Sequence, residues 1–379
     1  MKKIFLVAGE ASGDLHGSEL AKELARLDPA LEIHASGGKG LAALARGSFV
    51  ESAHLNATGL TEVLKLLPQY RKLFRDVAAA VRRARPDLVV LIDNPGFNLR
   101  LAQKILPMGI PMVYYITPQI WGWGENRIRI LKRCFRKALV VFRFEEKFYR
   151  DRGMDAVWVG HPLKDQVPSA AAARPRPSRG ASPRVLLLPG SRANEVKTLF
   201  PILLDAASLI ARRVPAARFA YLASPTLGEG FYDAAAGRRS APAVEQVTGD
   251  KYAAMREADL AIACSGTVTL ECALMGLPLI IVNRASFLTY LAVRRVIRVR
   301  YLGLPNLLAD APIVPELLQY DCTGPKIAAK AAELLTNPEK TQKMREDMAR
   351  ALEGIGPAGA SKRAAEEILK ILRSKNTSF

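Results

Sequence analysis

IFLVAGEASGD (residues 4–14) is an apolar run that breaks into a Gly-rich turn and continues as an amphipathic helical pattern. VLLLPGSRANEV (residues 185–196) repeats that construction half a chain later. Strand, tight loop and helix form the opening of a doubly wound α/β sheet. Two such openings predict two Rossmann-like domains facing each other across a cleft. In such sheets ligands sit beyond the carboxyl ends of the strands, where both loops fall. The second loop sets Arg192 beside a helix start, so a phosphate-bearing ligand is the first expectation.

The stretches 88–92, 113–116, 138–142 and 157–159 read as further strands of the first half. In the second half, 218–222, 260–263 and 279–282 read the same way. Unbroken apolar strands between helices indicate parallel sheets covered on both faces. The first helix carries Leu15, Leu20, Leu24 and Leu27 on roughly one side. From 168 to 184 the composition turns to Pro, Ala, Ser and Arg without periodicity, which predicts a linker. Residues 354–359 interrupt the later helices, and 361–375 form a last amphipathic helix able to return to the first domain. The expected division is therefore an N-terminal domain over 1–167, a linker over 168–184, a C-terminal domain over 185–353 and a returning helix over 354–379.

The chain of 379 residues has room for two cores, and its 49% apolar and 24% charged content is ordinary for a folded protein. Its charge is not ordinary: 55 Lys and Arg against 36 Asp and Glu leave +19. Such a surface favours nucleic acid, phosphorylated substrates or an anionic membrane. No recognised nucleic-acid fold signature accompanies it, which ranks that partner low. Cys134, Cys264, Cys272 and Cys322 show no metal or redox spacing, and their scatter fits a reducing compartment. No apolar run approaches the ~18 residues of a spanning helix. Lys2 and Lys3 imitate the start of a signal peptide, but Glu10 and Asp14 arrive too soon for one. These features predict a cytoplasmic protein that reaches a membrane only peripherally.

Each candidate motif carries two readings. In GEASGD (9–14), small residues allow close backbone approach to a ligand and the helix amides attract anions; equally, the motif is a turn with Ser12 or Asp14 capping the helix. It is neither GxGxxG nor a Walker loop. IDNPGFN (92–98) puts Asp93 at the carboxyl end of a buried strand, where a carboxylate can take a proton from a substrate hydroxyl; its Asp, Asn, Pro and Gly are also ordinary turn residues. TPQIWGWGENR (117–127) sets Trp121 and Trp123 in one loop, as a wall for sugar or acyl groups or as core packing. The basic run from Arg127 to Lys137 is denser than a solvated helix face usually is. In LLPGSRANEV (187–196), Arg192 offers paired hydrogen bonds to phosphate or merely pairs with Glu195. In ACSGTVTLECALMGLP (263–278), Ser265 or Thr267 is a natural cap and Glu271 either suits the helix dipole or receives ribose hydroxyls. His161 reads as a hydrogen-bonded structural residue. Leu60, Val63, Leu64 and Leu67 share one helical face while Leu66 points elsewhere, amid Lys65, Arg71, Lys72 and Arg75. That is a helix dipping into a membrane interface, or a core helix interrupted at Pro68.

Taken in order, GEASGD, IDNPGFN, the Trp-rich loop, VGHP, LLPGSR with Glu195, SGTVTLE and LPNLL closely resemble the lipid-A-disaccharide synthase family over about 3–319. The resemblance implies a GT-B-fold inverting glycosyltransferase of Gram-negative bacteria. It implies transfer of 2,3-diacylglucosamine from UDP-2,3-diacylglucosamine to the 6-hydroxyl of 2,3-diacylglucosamine 1-phosphate, giving a β-1,6 disaccharide and UDP. It assigns Asp93 as general base and sets Glu10 and Ser12 on the loop facing the reacting sugars. It gives Arg192 the donor diphosphate and Glu271 the ribose, with Glu195, Ser265, Gly266 and Thr267 in the same donor loops and Asn306 at the cleft. Some relatives carry Asp at the position of Gly96, so here the weight falls on Asp93. The same resemblance implies a peripheral enzyme on the inner face of the inner membrane, beside anionic lipid, and a homodimer exchanging C-terminal parts. No metal or cofactor is expected. The rival enzyme reading is another UDP-sugar protein of this fold, such as a UDP-N-acetylglucosamine epimerase, which needs no acyl-binding surface.

Overall fold

The structure is a computed structural model that describes residues 1–52, 60–122, 124–167, 182–237, 242–285 and 299–374. The side chains of 60–67 and of Ala11 stand outside that description, as do the candidate Trp123 and most of the 168–184 stretch. The chain divides into two compact units, Met1–Asp165 with Gly354–Phe379, and Gln166–Glu353.

The first unit is built on seven parallel strands: β1 (Lys3–Ala8), β2 (Glu32–Gly37), β3 (Phe49–Glu51), β4 (Leu88–Ile92), β5 (Met112–Tyr115), β6 (Lys137–Val140) and β7 (Ala156–Trp158). Their spatial order is β3-β2-β1-β4-β5-β6-β7. Alternate residues of the same strands feed two cores. Phe5, Val7, Val89, Leu91 and Tyr114 pack with the helices Leu60–Ala84, Pro95–Ile105 and Ile128–Cys134. Ile4, Leu6, Val90, Ile92 and Tyr115 pack on the other side with Leu20 and Leu24 of the helix Ala11–Leu27 and Ile368 and Leu369 of the helix Ala360–Arg373. Burial on both faces explains why these strands are apolar without alternation.

The last helix is fastened by more than apolar contact. Asp165 accepts hydrogen bonds from the backbone N–H groups of Gly359 and Ser361, satisfying donors that a helix start leaves without partners. The Arg363 guanidinium donates to the Val159 carbonyl at 2.8 Å.

The second unit has six parallel strands: β8 (Arg184–Leu188), β9 (Arg218–Leu222), β10 (Val244–Val247), β11 (Leu260–Cys264), β12 (Leu279–Asn283) and β13 (Glu316–Leu318). Their order is β10-β9-β8-β11-β12-β13. The helices Ala193–Arg213 and Gly324–Thr336 lie together across it.

Three local expectations are corrected. Leu15 is 42% exposed, because five positions from Leu20 turn it about 140° round the helix. Pro68 does not interrupt its helix, which runs unbroken through Leu60–Ala84; Pro68 is exposed, where a missing backbone N–H costs least. Neither Ser12 nor Asp14 caps the first helix, whose N-cap position is taken by Glu10, without a side-chain cap bond. The Asp14 carboxylate instead accepts from the amides of Gly38, Gly40 and Leu41, stitching this helix to the turn after β2.

Candidate active site

In each sheet the chain order reverses beside one central strand, between β1 and β4 in the first unit and between β8 and β11 in the second. The loops leaving those strand pairs diverge there, and the crevice they open is where a doubly wound sheet takes its ligand. The four loops are GEASGD, IDNPG, PGSR and CSGT, which hold most of the candidate residues.

In the first unit, Ala8 of β1 pairs level with Ile92 of β4, and Ile92 with Tyr115 of β5. The next residues out of the sheet are Gly9, Asp93 and Ile116. A Cβ on Gly9 would stand 2.2 Å from Asn94 Nδ2, so a larger residue there would have to displace the Asn94 side chain. Asp93, Asn94 and Ile116 all have left-handed backbone, with φ of 49°, 40° and 60°. Asp and Asn tolerate that region, whereas a β-branched Ile is a clear outlier in it. Backbone strain of this kind collects at functional sites and needs surroundings that hold it in place.

The surroundings are identifiable. The buried Tyr114 hydroxyl donates to the Asp93 carbonyl at 2.7 Å. The fully buried Asn98 amide donates to the same carbonyl at 2.7 Å and to that of Ile92 at 2.9 Å. Burial pushes the Tyr114 phenol well up, so it stays a hydrogen-bond donor. The Asp93 carboxylate is therefore carried on a clamped backbone, half-buried at the sheet edge. Glu10 at the N-cap and Ser12 in the first turn of the helix Ala11–Leu27 follow β1 and are also half-buried.

The Trp-bearing loop after β5 is held from behind. Glu145, fully buried, accepts from Trp121 Nε1 at 2.9 Å and from the amides of Val141 and Phe142 at 3.2 and 3.0 Å. Burial pushes its carboxyl up to about 7, although those three donors pull it down. Tyr149 donates to the Pro118 carbonyl at 2.7 Å, and Trp121 packs edge-on to Phe144. Trp121 thus belongs to a packed network. His161 is buried, and burial lowers its pKa to about 3; its Nδ1 accepts the Leu163 amide, a structural place.

In the second unit, Gly190 adopts φ 108°, and its missing Cβ leaves room for Glu195, whose Oε2 would otherwise be 2.5 Å away. Glu195 reaches back to the Arg192 amide and its Oε1 takes Arg192 Nη1 at 3.1 Å. This ion pair is more than one-third exposed on the Arg side, so it orients the guanidinium and contributes little to stability. The amides at the start of Ala193–Arg213 point the same way, toward where an anion would sit.

After the neighbouring strand β11 comes the helix Thr267–Leu274, whose N-cap is Gly266, without a side-chain cap. Ser265 and Thr267 therefore do not cap; Ser265 Oγ donates to the Leu302 carbonyl, while Gly266 and Thr267 are exposed. Glu271 is 4% exposed and is met by Lys251 and Tyr252. Asn306 is 1% exposed, and its amide is spent on Val314 and Glu316, which fixes the turn behind Ser265. Sequence reading missed Tyr114, Lys251 and Tyr252, because each acts across the fold and no short motif announces it; Asn98 stands inside IDNPGFN, but its amide's bonds back to Ile92 and Asp93 depend on the turn's geometry. Among the described residues, no group of three His, Cys, Asp or Glu side chains is arranged to hold a metal, and no helix is long and apolar enough to cross a membrane.

A profile of the lipid-A-disaccharide synthetase family matches residues 4–371. The chain belongs to that family. A lipid-A-disaccharide synthase of Geobacter metallireducens is 38% identical over 381 residues, 99% of this chain and 98% of that protein. The activity is the family's: a glycosyltransferase joins UDP-2,3-diacylglucosamine to 2,3-diacylglucosamine 1-phosphate, giving the lipid A disaccharide precursor and UDP. Solved structures agree on the GT-B fold. The UDP-GlcNAc 2-epimerase of Neisseria meningitidis, bound to UDP-GlcNAc, is 14% identical with a TM-score of 0.65, over 97% of this chain and 100% of that one. The calicheamicin glycosyltransferase CalG4 is 15% identical with a TM-score of 0.60, over 99% and 100%. At such identities the epimerase likeness is one of fold, and the full-length family match decides the activity.

Proposed function

We propose that Asp93 is the general base of this transfer. The acceptor's 6-hydroxyl attacks the anomeric carbon of the donor, Asp93 takes its proton, and the bond from that carbon to the UDP oxygen breaks, inverting the anomeric centre. A base so positioned contributes ~10² to 10⁴-fold. Arg192, held by Glu195, and the amides of the following helix stabilise the departing diphosphate electrostatically. Glu10 and Ser12 meet the reacting sugars, Glu271 receives the ribose, and Ser265, Gly266 and Thr267 line the nucleotide. The observation carrying this reading is the clamp on Asp93: three left-handed residues at two adjacent strand ends, with Tyr114 and Asn98 both bound to the Asp93 carbonyl. The test is the stereochemistry of the isolated product. A β-1,6 linkage from the α-linked donor supports in-line attack assisted by one base; retention would refute it.

We further propose that the first unit rests on an anionic membrane through the helices Leu60–Ala84, Pro95–Ile105 and Ile128–Cys134. Arg71, Lys72, Arg75, Arg82, Arg83, Arg100, Lys104, Arg129, Lys132 and Arg133 are exposed there, and none forms an ion pair with a described carboxylate. On the opposite layer the cations are paired, as in Lys22–Glu19, Arg26–Glu23 and Lys370–Glu367. Leu60, Val63, Leu64, Leu66 and Leu67 extend the first of the basic helices; their side chains lie outside the described residues. Near an anionic bilayer each such cation contributes about 1 kcal/mol. Arg82→Glu with Arg100→Glu should release the protein from phosphatidylglycerol vesicles at moderate salt. Undiminished binding, or release by nucleic acid competitors alone, would contradict this placement.

A further inference from the structure

The first turn of the helix Lys251–Glu257 meets Glu271 in a way the transfer reaction does not by itself require. Asp250 caps this helix, accepting from the amides of Tyr252 at 2.9 Å and Ala253 at 3.1 Å, and so fixes Lys251 and Tyr252 at the carboxyl edge just past β10. Lys251 Nζ reaches Glu271 Oε1 at 2.5 Å, and the Tyr252 hydroxyl donates to the same oxygen at 3.2 Å. The Lys251 ammonium also lies 5.0 Å from the centroid of the Tyr252 ring. Among the described residues nothing donates to the second oxygen, Oε2, although Glu271 is 4% exposed.

A carboxylate this buried is costly unless it is paired and its hydrogen-bonding capacity is used. Here one oxygen is fully used and the other is not. The half-used carboxylate stands one turn into the helix Thr267–Leu274, next to the exposed Gly266 turn. It is also one strand from the Arg192 turn, since β8 and β11 are neighbours. After burial, the strongest influences on the Cys264 thiol at the end of β11 are the charges of Glu195 and Arg192. A diphosphate at Arg192 thus leaves its nucleoside beside Glu271.

We propose that Lys251 and Tyr252 are positioning residues for the donor. They hold Oε1 of Glu271 so that Oε2 is presented to the ribose hydroxyls of a uridine nucleotide. This deepens the ribose assignment of Glu271 and rests on it. Without the two partners the carboxylate swings among rotamers, and the site loses its preference for a ribose over a deoxyribose while phosphate binding persists. A role in stability alone would weaken all nucleotides alike and leave the preference unchanged.

The test titrates the full chain with UDP, 2′-deoxyuridine diphosphate and 3′-deoxyuridine diphosphate by calorimetry. A hydrogen bond to a charged group is worth about tenfold or more in affinity, so the wild type should prefer UDP by about that factor over at least one deoxy analogue. Glu271→Gln should abolish the preference. Lys251→Met and Tyr252→Phe should each reduce it to about threefold or less, and Lys251→Arg should keep most of it. If Glu271→Gln loses the preference while Lys251→Met and Tyr252→Phe keep it, the positioning role is wrong and the ribose assignment stands. If Glu271→Gln itself keeps the preference, the ribose assignment fails and takes this proposal with it. Should Lys251→Met fail to fold, Tyr252→Phe, which removes one oxygen atom, decides the matter.

Discussion

Removing one oxygen from Tyr114 tests why the backbone at Asp93 is strained. The Tyr114 hydroxyl is fully buried and donates to the Asp93 carbonyl at 2.7 Å; the Asn98 amide donates to the same carbonyl, also at 2.7 Å. Each such bond contributes about 1 kcal/mol net. Holding Asp93 and Asn94 at φ of 49° and 40° costs a comparable amount, ~1 kcal/mol for each residue. The two bonds and the strain nearly balance, so Tyr114→Phe tips the loop toward relaxed conformations by ~1 kcal/mol, about fivefold in population. We expect kcat to fall ~5- to 10-fold and the melting temperature to fall ~2–4 °C, the usual response of a domain this large to ~1 kcal/mol. UDP affinity should be unchanged, because the loops proposed to hold the nucleotide belong to the second unit. The assay is steady-state UDP release with both lipid substrates, beside a thermal melt and a UDP titration. If the melting temperature drops and kcat stays within about twofold of wild type, the clamp serves folding and has no part in placing the base.

Two further outcomes follow from the site. Arg192→Lys keeps the charge but loses the planar fork, so UDP should bind about tenfold or more weakly with little change in stability, as calorimetry and a urea titration would show. Glu145 carries the pH prediction. Its folded pKa is raised from 4.5 to about 7, so between those values the folded chain keeps a proton that the unfolded chain has lost. Stability from this group is therefore highest below 4.5, declines as pH rises to about 7 and is level above it, a loss on the order of 3 kcal/mol. Glu145→Gln should remove that part of the slope; parallel urea midpoints from pH 5 to 8 in variant and wild type would refute it.

The parts of the fold legible in sequence are those buried on both sides. β1, β4, β8 and β11 are central strands, and each reads as an uninterrupted apolar run. β3 and β13 escaped notice because they are three-residue edge strands without a buried residue, and β10 because Glu245 and Gln246 face solvent at the other edge. β2 was hidden for a different reason: EIHASG looks polar, yet His34 is buried with its Nδ1 bound to the Ser48 hydroxyl and amide. At the candidate site, Asp93 and Arg192 stand out in the sequence because each follows a readable strand, β4 and β8 respectively. The cap residues do not, since Gly266 and Glu10 took the N-cap positions and Asp14 found stronger use on a neighbouring turn. Tyr114 and Lys251 act on residues about 20 positions away, 21 from Asp93 and 20 from Glu271 respectively, a distance that only the sheet closes.

The most direct test of Asp93 as the base compares UDP release by wild type and Asp93→Asn, each with the donor alone and with donor and acceptor together. The wild type should release UDP at speed only with both sugars present. The Asn variant should be slower by ~10² to 10⁴-fold while binding UDP as tightly as wild type. Near-normal turnover by the variant would contradict the assignment.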